Sequence, residues 1–220
     1  MRLFSIIFLL FFISCLSVEA SFPVILGYQH SPLGVPYQAP PLDLPRAIYD
    51  TGNITFVEHH EPTPWLGMEL SYQNIKPLFD ELNTTDQPLV SRGEAHITVI
   101  SPPEYVQLAT ADLTIEDIDI TARKHSIQSS HFNVVCLGKV DVMRDQLQHV
   151  VYQVIVDSPD LIRLREKIFR LYYDRGGNAA LFDPHNYKPH ITIGFTITDL
   201  HIEQGVSKGY NVCHRAIRVR

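Results

Sequence analysis

The chain has 220 residues, 45% of them hydrophobic, with 18 Lys and Arg against 24 Asp and Glu, a formal net charge of −6. That balance excludes the broad basic surface with which proteins grip long nucleic acid. It leaves room for a small phosphorylated substrate, which needs only a local positive or hydrogen-bonding pocket.

Residues 1–20 read as a secretory signal peptide: Arg2 supplies a positive end, Leu3 to Val18 is mostly apolar, and Val18-Glu19-Ala20 places small residues around a cleavage point. The apolar stretch is short for a span of about 20 residues. The expectation is therefore a secreted, monomeric protein, free of the membrane after cleavage. Beyond the signal, Cys136 and Cys213 are the remaining cysteines, and an oxidising route leaves two readings open: one disulfide or two buried thiols. Asn53-Ile54-Thr55 and Asn83-Thr84-Thr85 are glycosylation sequons.

Residues 21–65 carry eight of the 15 prolines. Such a segment cannot sustain helices. Its apolar residues, among them Phe22, Ile25, Tyr28 and Trp65, predict an extended strap packed on the domain that follows, 66–220. Ile75, Leu78, Phe79 and Leu82 have helical spacing, with Pro77 limiting the first turn. Glu94 to Ile100 alternates as a strand, and Pro102-Pro103 ends it. A short helix is predicted from Glu104. His131–Val142 and Gln148–Asp157 read as strands joined across Met143-Arg144-Asp145. Ser158-Pro159 is an N-cap followed by proline, opening a helix to Asp174 that Gly176-Gly177 stops. Its Arg163, Arg165, Lys167, Arg170 and Arg175 read as a solvated face. His190 to Thr196 is a strand again. Strand, helix and histidine-bearing strand thus recur in two halves, which predicts an α+β domain of two similar lobes with a cleft between them.

The chemistry lies in Ala95-His96-Ile97-Thr98-Val99 and Pro189-His190-Ile191-Thr192-Ile193. In each, His and Thr are two residues apart, so on a strand they leave the same face about 7 Å apart. The intervening apolar residues anchor the other face. One such match is weak; two in one chain are a signal. Cleaving a phosphodiester takes a base to deprotonate water and an acid to protonate the leaving oxygen, and imidazole serves for either near neutrality. Threonine hydroxyls can hydrogen-bond the non-bridging oxygens as charge builds. His96 and His190 are the candidate acid–base pair, and Thr98 and Thr192 the candidate phosphate ligands. Tyr105, Tyr187 and Phe195 lie near enough in sequence to be candidate base-stacking groups, although buried area dominates aromatic placement and favours a core or surface-packing role for each. No metal and no cofactor is called for. His30, His59 and His60 lack matching ligand spacing and read as loop residues. His131, His149, His201 and His214 read as structural, and His185 as a loop residue or a support to the site.

These paired motifs, with Gly93-Glu94 before the first and Phe182-Asp183-Pro184-His185-Asn186-Tyr187-Lys188 before the second, resemble the 2H phosphoesterase superfamily, and in it the cyclic phosphodiesterases and the fungal Swiss Army Knife RNA repair-like branch. The resemblance spans roughly Trp65 to Leu200. It implies a bilobal fold, a central cleft and cofactor-free hydrolysis of 2′,3′-cyclic phosphates of nucleotides or RNA ends. The alternative function is a non-catalytic module of the same fold that binds a nucleotide or phosphate ligand.

Overall fold

The structure, a computed structural model, describes residues 30–200 and 202–220. The signal-peptide reading of 1–20, the start of the proline-rich strap and the reading of His201 fall outside the described residues.

Two β–α–β units dominate. In the first, β2 (Leu66–Leu70) leads through α1 (Tyr72–Leu82) into β3 (Ala95–Ile100), which pairs antiparallel with β2. Before them, β1 (Leu42–Leu44) belongs to the strap. After them come two short helices, α2 (Pro102–Ala109) and α3 (Ile115–Lys124), and then a long hairpin of β4 (Asn133–Arg144) and β5 (Leu147–Asp157). In the second unit, β5 leads through α4 (Pro159–Asp174) into β6 (His190–Phe195), again antiparallel to its predecessor. The chain closes with β7 (Cys213–Arg215) and β8 (Ile217–Val219). The larger sheet has the order β6-β5-β4-β7. Mixed helices and antiparallel sheets make this an α+β fold. No helix among the described residues is long and apolar enough to cross a membrane.

Local chemistry explains the boundaries. Ser101 and Glu104 form a capping box at α2, where Pro102 and Pro103 occupy the first helical positions. The helix therefore starts two residues before Glu104, because proline is well placed where its missing N–H would have no helical partner. Thr114 and Asp117 cap α3 in the same way. The β4–β5 turn falls on Asp145 and Gln146, both left-handed at φ 50° and 64°. A two-residue hairpin loop with that geometry matches strand twist, which moves the turn past Met143 and Arg144 into β4.

The helices pack crosswise. Helix α1 buries Ile75, Leu78 and Leu82 and lies against β6 as well as β1. Helix α4 lies against β3. Each unit's helix thus supports the other unit's histidine strand. At Gly194 on β6 an added Cβ would stand 3.0 Å from Phe79 Cδ2 of α1 and 3.1 Å from the Val90 carbonyl, so a side chain there would press α1 and the Val90 backbone outward by a few tenths of an ångström. Burying Ile75, Leu78, Leu161, Leu164 and Ile168 stabilises the packing by about 1.5–3 kcal/mol each.

Three findings correct or complete the sequence reading. Arg165 is not on a solvated face: it is fully buried, on the same stripe of α4 as Leu161, Leu164, Ile168 and Tyr172. Cys136 and Cys213 are joined as a disulfide linking β4 to β7. The described part of the strap pairs β1 in parallel with β8, Leu42 opposite Ile217 and Leu44 opposite Val219, with Leu42, Leu44 and Ile48 in the core.

Candidate active site

Strands β3 and β6 lie beside one another, and Val90, in the chain that leads to β3, exchanges backbone hydrogen bonds of 2.7 and 3.0 Å with Phe195, the last residue of β6. Alternation along each strand does the rest. Ile97, Val99, Ile191 and Ile193 are buried, which turns His96, Thr98, His190 and Thr192 to the half-exposed face. A small cavity there is lined by Arg92, Glu94, His96, Thr192, Ile193 and Phe195. It therefore draws on both motifs.

His190 is held through both ring nitrogens. Nδ1 lies 2.8 Å from the Lys188 carbonyl, and Nε2 lies 3.1 Å from the ammonium of Lys208. A carbonyl only accepts and an ammonium only donates, so Nδ1 carries the hydrogen and Nε2 is the acceptor. Burial pushes the His190 pKa down to about 3, with the Lys208 charge and then that of His96 acting in the same direction; the Lys188 hydrogen bond and Asp199 oppose it.

His96 keeps 15% of its side chain exposed, with Glu94 Oε1 3.8 Å from Nδ1. Burial lowers its pKa to about 4, helped by the Arg92 and His59 charges, while Asp199 pulls it back up. Its ring lies 4.6 Å from that of Trp65, which stacks at 3.8 Å on His59. His59 in turn meets Glu69 Oε1 at 2.9 Å. At neutral pH both active-face imidazoles are uncharged, and each can accept a proton.

Beside the rings lies a charge network, with Asp199 and Lys208 buried and Arg92 partly exposed, that the motifs do not announce. Asp199, 6% exposed, accepts from Lys208 at 3.3 Å, from Arg92 at 3.1 Å and from the Thr192 hydroxyl at 3.3 Å. Among the described residues, Arg92 and Lys208 both meet this carboxylate, which places two cationic side chains beside the rings, as a phosphate site requires. Arg92, Asp199 and Lys208 each stand alone in loop sequence, without period or spacing to mark them.

The other candidates divide. Phe195 lines the cavity. Tyr105 packs against the core, and so does Tyr187, whose ring sits 4.6 Å from the Arg165 guanidinium and whose hydroxyl donates to the Thr98 carbonyl at 2.9 Å. Burial raises the Tyr187 phenol far above its usual range, keeping it a neutral donor. His185 is exposed and pairs with Glu166 at 2.9 Å. Among the described residues one group could hold a metal ion: Glu58, His60 and Asp119, within 4.8 Å of one another. The fold, not sequence spacing, brings Asp119 to His60, at 2.7 Å. Glu58 is engaged by Arg123, and neither His–x–Thr motif contributes to the group.

Comparison with known proteins gives a family. A family model described as Swiss Army Knife, 2H phosphoesterase domain, matches residues 64–201, more than half the chain and both His–x–Thr strands. No curated protein and no solved structure matches. The chain belongs to the Swiss Army Knife branch of the 2H phosphoesterases, and its chemistry is that of a phosphoesterase.

Proposed function

We propose that this protein is a secreted, metal-independent phosphodiesterase that opens 2′,3′-cyclic phosphates of nucleotides or RNA ends, with His96 and His190 as the acid–base pair in a cleft between two β–α–β lobes. The observation that carries the reading is one small cavity bordered by His96 of the first motif and Thr192 of the second, with Arg92 in its lining.

One neutral imidazole takes a proton from water, and the water oxygen bonds to phosphorus. The bond from phosphorus to the 2′ or 3′ oxygen breaks, and the second imidazole, protonated, gives that oxygen its hydrogen. The product is a 2′- or 3′-phosphomonoester of the nucleoside or RNA end. Thr98 and Thr192 donate to non-bridging oxygens, and Arg92 offsets the charge that accumulates there. A bound phosphate anion raises both histidine pKa values from their depressed resting levels, which makes the protonated partner accessible. Every proton transfer is assigned to a side chain, so the reading asks nothing of a metal. The leader-like residues 1–20, the Cys136–Cys213 disulfide and the exposed sequon residues Asn53 and Asn83 support secretion.

The competing reading is a module that binds a phosphate ligand without turnover; Lys208 seated on His190 Nε2 favours it. Hydrolysis of 2′,3′-cyclic mononucleotides in EDTA by wild type, His96→Ala and His190→Ala decides between them. Turnover that persists in EDTA and falls about 10²–10⁴-fold in each variant is expected. Full activity in either variant removes the pair from the mechanism, and ligand binding with no product supports the binding module.

A further inference from the structure

We propose that Lys208 is a positioning residue of the reaction site, whose buried ammonium keeps His190 unprotonated, in the Nδ1–H tautomer, with Nε2 as its accepting atom. The assignment rests on the reading of His190 as one of the proton-transfer pair. Lys208 lies outside both His–x–Thr motifs and outside the residues matched by the family, so neither predicts it.

The geometry carries the argument. The Lys208 side chain is 2% exposed, and a buried lysine is costly unless its charge is compensated. Asp199 compensates it at 3.3 Å, and Asp199 is itself fixed by Arg92 and Thr192. The ammonium is thus anchored from behind and donates forward to His190 Nε2 at 3.1 Å. On the far side of the ring the Lys188 carbonyl takes the Nδ1 hydrogen at 2.8 Å. One acceptor and one donor, on opposite edges, permit a single tautomer. Among the described residues, the charged and titratable groups that act on His190 are Lys208 and Asp199 from the chain after β6 and His96 from β3, while Arg92, from the chain before β3, reaches Asp199. Lys208 is the one that touches the ring, and its charge opposes protonation. When a phosphate enters, its non-bridging oxygens are stronger acceptors for an ammonium than a neutral nitrogen. Lys208 then turns to the phosphate, and Nε2 is free to take a proton.

Histidine NMR on the wild-type chain tests the tautomer directly. The expected result is His190 as Nδ1–H at pH 6–7; the Nε2–H form or an imidazolium there overturns the assignment. The same titration on variants tests the charge. Lys208→Gln keeps a donor but loses the charge, and its His190 midpoint should rise by about one pH unit or more, whereas Lys208→Arg should stay near wild type. An unchanged midpoint in Lys208→Gln overturns the proposal. If Lys208→Gln does not fold, the wild-type tautomer and the Lys208→Arg midpoint still decide it. In turnover of 2′,3′-cyclic AMP, kcat/KM should fall on the order of 100-fold in Lys208→Gln and recover in large part in Lys208→Arg; equal kcat/KM in all three overturns the role. A wild-type chain without turnover refutes the function reading, while the titration still judges Lys208.

Discussion

Arg165 on α4 grips both carboxylate oxygens of Glu104 on α2: Nη2 lies 2.8 Å from Oε1 and Nη1 lies 3.2 Å from Oε2. The same guanidinium donates to the carbonyls of Val99 at 2.6 Å, Pro184 at 2.9 Å and Asp183 at 3.2 Å. Phe182 and Tyr187 lie against it at 4.8 and 4.6 Å. One buried cation therefore ties the first histidine strand to the loop that leads into the second. Glu104 serves twice, since it also closes the α2 capping box.

Removing that cation takes the guanidinium donors from three carbonyls and leaves Glu104 only its capping-box contacts with Ser101. Arg165→Met should cost about 3 kcal/mol or more of folding stability, read as a fall in the urea midpoint. A loss below about 1 kcal/mol would mean the network contributes little. Lysine is a poor substitute, because its single ammonium cannot reproduce the planar two-pronged contact.

Protonation gives a second prediction, in stability. Unfolded, each imidazole titrates near its ordinary 6.5; folded, His96 waits until about 4 and His190 until about 3. Between those limits the unfolded chain binds more protons than the folded one. Stability from this source is intact above pH 6.5 and is lost as pH falls through the window. The urea midpoint should drop from pH 6.5 to 4, and less steeply in His96→Asn/His190→Asn. Parallel curves for the two proteins would contradict the shifts.

The same shifts set the pH dependence of catalysis. In the free protein at pH 7 both rings are neutral, whereas the proposed reaction needs one protonated. The competent fraction grows as pH falls, so kcat/KM should rise about tenfold per unit from pH 7 to pH 5. A plateau across that range would contradict the assignment.

The disulfide holds the carboxy-terminal segment. Cys136 and Cys213 are 77 residues apart, and Lys208 lies inside the loop they close. A loop of that length constrains the unfolded chain by about 4 kcal/mol. Cys136→Ser/Cys213→Ser should lose stability of that order in guanidinium unfolding, and its turnover should fall as the segment bearing Lys208 loosens. An unfolding curve within about 1 kcal/mol of wild type would show that the β7 pairing holds the segment unaided.

Much of the fold and of the site is legible in the sequence. Period-two alternation puts His96 and Thr98 on one face of a strand because Ile97 and Val99 need burial, and the same holds at His190 and Thr192. The α4 stripe also contains its own correction. Arg165 stands four residues after Leu161 and three before Ile168, on the buried face, and periodicity outranks charge as a guide to which way a helix residue points. Helix α3, not predicted from the sequence, opens on the Thr114–Asp117 cap and buries Ile115, Ile118 and Ala122. Lys208 and Asp199 carry no such mark. Their roles come from contacts closed by the tertiary fold, and no local pattern encodes a partner that the sheet order brings near.

The central claim is that both imidazoles act on one phosphorus atom. A crystal structure of the protein with a bound nucleoside 2′- or 3′-monophosphate tests it most directly. The predicted result is Nε2 of His96 and Nε2 of His190 each within hydrogen-bond distance, about 3 Å, of oxygens on the same phosphate, with the Lys208 ammonium moved onto a third. A phosphate bound elsewhere, or touched by only one of the two rings, would contradict it.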